Sequence, residues 1–198
     1  MAWLCAAGIR PDTVGAAELA VFRAINELPG WLYPPAWLLM QYGTFITIPV
    51  SALVALGLRR VRLACELLAA GIGVWLLAKV VKDLAPRARP GALLDAVELR
   101  GVGAGGRGFP SGHAAVAAAM AFVLVAWLPG RWKWAPVGLG LVVCFGRVYV
   151  GAHLPLDVVG GAGLGIVAGA IATVLGGVPL PRGSARSTSV VSGGPDTD

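Results

Sequence analysis

The chain reads as an all-α integral membrane protein, a bundle of about six helices, and three observations carry that reading. Hydrophobic residues fill 57% of its 198 positions and charged residues 13%, and the mean hydropathy of +0.78 lies outside the range of an ordinary soluble domain. Apolar runs of about 20 residues, the length of helix that crosses a bilayer, recur along it. The ionisable residues between them gather in short clusters and not along one face of each run.

Taken in order, the opening MAWLCAAGIRPDT has an apolar stretch with no basic residue before it and an Arg-Pro-Asp soon after, so it reads as mature chain and not as a secretory signal. In TVGAAELAVFRAINELPG, Val14, Leu19, Phe22, Ile25 and Leu28 recur at near-helical spacing, which predicts an amphipathic helix at the membrane interface. A sixth span there is the alternative, at the cost of placing Glu18, Arg23 and Glu27 at membrane depth. Five spans follow at 36–58, 62–82, 113–129, 134–152 and 156–177. Trp31, Tyr33, Trp37, Trp127, Trp132 and Trp134 fall near span ends, where amphipathic rings anchor at the headgroups. Gly161, Gly165 and Gly169 repeat every four residues in the last span and predict close helix packing. GVGAGGRG at 101–108 has no strand before it, so it reads as a flexible membrane-side connection and not as a phosphate-cradling loop. The folded domain is expected to cover 1–180, followed by a disordered polar tail over 181–198.

The remaining composition narrows the function. Cys5, Cys65 and Cys144 are odd in number, far apart and in apolar surroundings, which fits neither a disulfide framework nor a metal site; no metal and no cofactor are expected. The net charge of +6 comes from short Lys/Arg clusters between apolar segments, so anionic lipid, and not nucleic acid, is the expected partner. Oligomeric state is not legible.

Three clusters resist a purely structural explanation, because ionisable groups at membrane depth are expensive unless they face a cavity. They are KDLAPRARP, with Lys82, Arg87 and Arg89; PSGH, with Ser111, Gly112 and His113; and RVYVGAHLPLD, with Arg147, His153 and Asp157. Following the chain back and forth, the second span ends, the third begins, the fourth ends and the fifth begins on one side of the membrane, so all three clusters meet there. Lys82, Arg89 and Arg147 make a site for a multiply charged anion, and guanidinium groups match phosphate oxygens. The N–H groups at a helix start, where Ser111 and Gly112 sit, add donors. His153 and Asp157 are four apart, so a carboxylate can fix that imidazole as a nucleophile toward phosphorus; His113 has no such neighbour and suits the general acid. Lys79 is expected to snorkel or pair with Asp83, and Asp95, Glu98 and Arg100 to form a solvated loop.

The order Lys82, six residues, Arg89-Pro90; then Pro110-Ser111-Gly112-His113; then Arg147, five residues, His153, three residues, Asp157 resembles the three-part signature of the type 2 phosphatidic acid phosphatase (PAP2) superfamily. The resemblance covers positions 82 to 157. It implies a six-helix membrane phosphatase that needs no metal, with a phosphohistidine at His153, Asp157 orienting it, His113 protonating the leaving group and later activating water, and Lys82, Arg89, Ser111, Gly112 and Arg147 holding the phosphoryl oxygens. One departure is visible: the third motif usually starts Ser-Arg, and here Gly146 precedes Arg147, which removes a hydroxyl donor.

The positive-inside rule orients the pocket. Arg59, Arg60, Arg62, Arg131 and Lys133 crowd short loops on the side away from the motifs, with Arg182 and Arg186 in the tail, whereas Arg10, Arg23, Arg87, Arg100 and Arg107 are diluted over longer segments on the motif side. The motif side is therefore expected to face outward from the cell membrane. A polyprenyl (undecaprenyl or decaprenyl) pyrophosphate or phosphate is the favoured substrate, with phosphatidic acid, phosphatidylglycerol phosphate and diacylglycerol pyrophosphate as alternatives. A phosphotransferase or a vanadate-dependent oxidase on the same pocket, and a silent lipid-binding protein, are the other classes; superfamily oxidases are usually soluble, and the complete set of acid, nucleophile and orienter argues against silence.

Overall fold

The fully buried positions of the Ala-rich run after Pro110 hold only Ala, Val and Met, and it becomes the helix around which the others pack. The structure, a computed structural model, describes residues 13–177; Cys5, the opening segment and the 180/181 domain boundary with its polar tail lie outside them. Eight helices are present among the described residues: α1 Ala16–Asn26, α2 Tyr33–Met40, α3 Thr47–Gly57, α4 Val61–Leu84, the single turn α5 Pro90–Leu93, α6 Gly112–Trp127, α7 Trp134–Tyr149 and α8 Pro155–Gly176. Helix α6 is central, packing most extensively on α8 and also on α4 and α7, while α7 and α8 meet each other far less.

The glycine repeat does the packing predicted for it. A Cβ at Gly161 would strike the backbone of Ser111, one at Gly165 the carbonyl of Ala115, and one at Gly169 would come within 2.8 Å of Phe122 Cβ. All three glycines let α8 lie directly against α6 along its length.

Among the described residues, only α4 (24 residues) and α8 (22 residues) are by themselves long and apolar enough to cross a membrane; α6 is a shorter apolar helix and, like α7, has 16 residues. The expected span at 36–58 is broken into α2 and α3, with a 3₁₀ turn at Gln41–Gly43 and a bend of 67°. Local hydroxyls reinforce the bend: Thr44 Oγ1 and Thr47 Oγ1 both donate to the Gln41 carbonyl, at 2.6 and 2.8 Å, beside the Thr44 N–H at 3.0 Å. Five uninterrupted spans are thus reduced to two full-length helices, one bent pair and two shorter helices.

Helix α1 by itself is too short to be a sixth span. Its 11 residues reach about 16 Å, half of a bilayer's hydrocarbon core. It packs against α7 and α8 through Glu18, Phe22 and Asn26, one stripe at i, i+4 and i+8 that holds two polar residues. Asn26 Nδ2 donates to the carbonyls of Tyr149 and Glu98 at 2.9 and 3.0 Å, and its Oδ1 accepts from Glu98 N–H. Arg100, expected in a solvated loop, instead donates to the carbonyls of Asn26, Tyr149 and Leu28 and stacks over the Tyr149 ring. Lys79 lies 3.4 Å above the Trp75 ring, and Asp83 pairs with Arg107. At the opposite end of the bundle, buried Glu66 accepts from Arg62 Nε at 2.9 Å and Trp127 Nε1 at 2.8 Å, tying α4 to α6. Trp31, Trp37, Trp132 and Trp134 are exposed at helix ends.

Candidate active site

Helix ends bring the three clusters together. Lys82 stands in the last turn of α4, Arg89 and Ser111 occupy the positions just before the first turns of α5 and α6, Arg147 lies in the last turn of α7 and Asp157 in the first turn of α8. Between α7 and α8 the chain folds back tightly, with the N–H groups of Ala152 and His153 both reaching the Arg147 carbonyl at 3.2 Å. Gly151, at φ +74°, makes that reversal and leaves no room for a Cβ beside Glu98. The starts of α6 and α8 are joined directly, Ser111 N–H donating to the Asp157 carbonyl at 2.9 Å.

The predicted site residues lie within one another's electrostatic reach. The charges of Arg147, Arg89 and Lys82 act on His113 together with His153, and those of Arg147, Asp157 and Lys82 act on His153. Burial, reinforced by Arg147 and Lys82 and opposed by Asp157, pushes the His153 imidazole down to about 4, so it is a neutral base at neutral pH. Asp157 Oδ2 stands 3.8 Å from His153 Nδ1, in contact but beyond hydrogen-bond length. Both carboxylate oxygens are already engaged: Oδ1 accepts from Arg87 Nη1 at 3.1 Å, and Oδ2 accepts from Leu154 N–H at 2.9 Å, the backward reach of an acidic N3 residue.

Four buried polar atoms of the predicted site have no hydrogen-bond partner in the protein: Arg89 Nε, Ser111 Oγ, Arg147 Nε and His153 Nδ1. Ser111 does not cap its own helix, so the first-turn N–H groups of α6, with Gly112 and His113 among them, are also available. These donors suit an acceptor-rich tetrahedral anion.

Two residues of this centre were not singled out as functional in the sequence. Arg87 belongs to the first cluster but has no part in the expected phosphate site, and Glu18 reads as an obstacle to a span, yet both are buried and paired: Arg87 Nη2 reaches Glu18 Oε2 at 2.6 Å and Nη1 reaches Oε1 at 3.0 Å. The one available signal was Arg87 itself, two residues from Arg89 in the same cluster. The 101–108 connection also differs from expectation. Backbone pairing fastens it to the Arg87–Arg89 segment, with Gly108 N–H on the Arg87 carbonyl and Arg89 N–H on the Gly106 carbonyl, and Lys82 Nζ donates to the Arg107 carbonyl at 3.0 Å. The space beside Gly146, where a Ser Cβ would stand, is taken by Met40, whose Sδ lies 2.8 Å from that position.

An apolar helical chain that gathers two imidazoles, a carboxylate and three cations at one end of its bundle has the architecture of a PAP2-type membrane protein, and residues 61–177 match the PAP2 superfamily. The chain belongs to that superfamily. Over 132 residues it is 32% identical to an undecaprenyl-diphosphatase of Sulfolobus acidocaldarius, the match covering 64% of this chain and 62%, less than two thirds, of that curated relative. Among solved structures it is similar to Aquifex aeolicus LpxE, with a TM-score of 0.75 at 27% identity over 81% of this chain and 96% of the other. It is also similar to a transmembrane PAP2-type phosphatidylglycerolphosphate phosphatase of Bacillus subtilis, with a TM-score of 0.66 at 25% identity over 87% and 90% of the two chains.

Proposed function

We propose that this chain is a membrane phosphatase that removes a phosphate from a lipid phosphate or pyrophosphate, without a metal, through a phosphohistidine at His153. The observation that carries this reading is the group of buried donors without protein partners, Arg89 Nε, Arg147 Nε and Ser111 Oγ, beside a neutral imidazole. Lys82, Arg89, Arg147, Ser111 and the Gly112 N–H hold the non-bridging phosphoryl oxygens. His153 attacks phosphorus through Nε2, since Nδ1 faces Asp157. The bond from phosphorus to the leaving oxygen breaks, and that oxygen takes a proton from His113. Water then gives a proton to His113 while its oxygen attacks phosphorus, the P–N bond breaks, and inorganic phosphate leaves.

A substrate with an apolar tail is supported by a groove of about 390 Å³ where α7 and α8 diverge over α6, walled by Ala118, Phe122, Gly140, Leu141, Cys144 and Ile166. It begins one helical turn beyond Arg147, so a headgroup in the pocket leaves its tail in the bilayer. A polyprenyl pyrophosphate or phosphate is the favoured substrate, in keeping with the undecaprenyl-diphosphatase relative. The outward orientation in the cell membrane rests on the crowding of Arg59, Arg60, Arg62, Arg131 and Lys133 in short connections away from the motifs.

The test is phosphate release by purified protein in detergent with excess EDTA, from polyprenyl pyrophosphate, phosphatidic acid and phosphatidylglycerol phosphate, beside His153→Ala. EDTA-resistant release that falls by several orders of magnitude in the variant is expected. Equal release by His153→Ala refutes the nucleophile, and EDTA-sensitive release refutes the metal-free chemistry. Transfer of the phosphoryl group to an added alcohol in preference to water would assign a phosphotransferase.

A further inference from the structure

Glu18, Arg87 and Asp157 form a buried ionic cluster, and the phosphoryl-transfer steps above do not use two of its three members. The side chains are 6%, 1% and 0% exposed. A guanidinium with two carboxylate partners has two stable arrangements: a fork on one carboxylate with a single bond to the other, or the reverse. Here the fork is on Glu18, through Nη1 and Nη2, and Asp157 receives a single bond from Nη1 to Oδ1. Glu18 is itself fixed at the start of α8, where its Oε1 accepts from Leu156 N–H at 3.0 Å. Asp157 Oδ2 consequently stays on the side of Leu154 N–H and His153 Nδ1. Without Glu18, both Nη groups are free to fork onto Asp157 and draw Oδ2 away from the imidazole.

We propose that Glu18 and Arg87 are positioning residues for the reaction: α1 delivers Glu18 to hold Arg87 in the orientation that leaves one oxygen of Asp157 facing His153. This gives α1 a function that its length and packing alone do not explain. The proposal rests on His153 being the nucleophile as read above. The structure places the same geometric demand on both partners, since Glu18 and Arg87 act only through Asp157, and Asp157 acts only through His153.

The experiment compares Glu18→Gln in the wild-type chain and in an Asp157→Asn background, with His153→Ala as reference, in detergent on one lipid phosphate. Enzyme concentration is normalised by the burst of phosphoenzyme in rapid-quench experiments, so that loss of folded protein does not register as loss of rate. In the wild-type background kcat is expected to fall about ten- to a hundredfold, the range for partners that orient a reacting group through a second residue, with KM within about twofold. In the Asp157→Asn background the same substitution is expected to cost less than about twofold, because the pathway through Asp157 is already broken. An unchanged kcat in the first background, or equal losses in both, overturns the proposal. If His153→Ala retains activity, the assignment of the nucleophile fails instead, and the two failures are told apart. Should Glu18→Gln not fold, Arg87→Lys, which keeps a buried cation but has no fork to hold Glu18 and Asp157 together, is read by the same measures and against the same outcomes.

Discussion

Helix α8 offers a test of the packing in which one substitution, made twice two residues apart, has opposite signs. At Gly165 a Cβ would strike the Ala115 carbonyl and come within 2.8 Å of Ala118 Cβ and 2.9 Å of Ala119 N. Restoring ordinary contact with Ala118 requires α6 and α8 to separate by about 0.6 Å, and the carbonyl contact demands more, because a backbone oxygen in a helix has no rotamer to yield. Overpacking of this kind costs about 1–3 kcal/mol. At Gly163 a Cβ meets nothing within 4 Å, so Gly163→Ala contributes only its helix propensity, a gain of up to about 1 kcal/mol. Thermal unfolding in one detergent is expected to show Gly165→Ala melting several degrees below the wild type and Gly163→Ala at or above it. Activity follows the same order: the separated helices carry Ser111 and His113 on one side and Asp157 on the other, and a displacement approaching 1 Å at a reacting centre costs up to about a hundredfold in rate. Equal melting temperatures for the two variants would refute the close α6–α8 contact, and a cold-shifted Gly165→Ala with full activity would refute its link to the site.

Two further outcomes follow from the site. His153 is held below its ordinary value in the folded chain, down to about 4, so the unfolded chain binds the extra proton first; the stability contributed is present above about pH 6.5 and is lost as pH falls toward 4. Melting temperature is expected to drop over that window and to drop less steeply in His153→Gln, whereas identical pH profiles would contradict the burial of the imidazole. Gly146→Ser, which restores the residue usual before the arginine of the third motif, is expected to destabilise by about 1–3 kcal/mol because Met40 occupies the space, and Met40→Ala in the same chain is expected to recover most of the loss. A fully stable Gly146→Ser would show that Met40 yields freely.

The convergence of the three motif clusters was legible because it depends only on the order of span ends, and the glycine repeat because small residues four apart have one physical use in an apolar helix. What escaped the sequence depends on partners far away in the chain. The bend at Gln41–Gly43 leaves the hydropathy of 36–58 unbroken, and the Thr44 and Thr47 hydroxyls that reinforce it look like ordinary helix residues until they turn back to the Gln41 carbonyl. Glu18 and Arg87 stand 69 residues apart, and each alone reads as a charge at the wrong depth. Arg100 looked solvated for the same reason, since its acceptors are carbonyls on two other segments. The departure at Gly146 was visible, but that Met40 fills the space was not.

Counting the fixed charges at the site end clarifies why Glu18 and Arg87 are buried together. Arg87 is paired with Glu18 and Asp157 through its Nη groups, and that trio carries one net negative charge. Lys82, Arg89 and Arg147 add three positive charges, and with His153 neutral the pocket is left with two in excess, before the proton that His113 donates is counted. A phosphoryl group with two negative charges balances that excess, whereas a single carboxylate or a neutral headgroup does not. Without Glu18 the excess would rise to three, and Asp157 would be the sole anion among four cations, so the Arg87 fork would turn onto it. The acidic residue of α1 therefore tunes the pocket in two ways at once: it sets the charge to that of the ligand, and it keeps the carboxylate of Asp157 turned toward the imidazole.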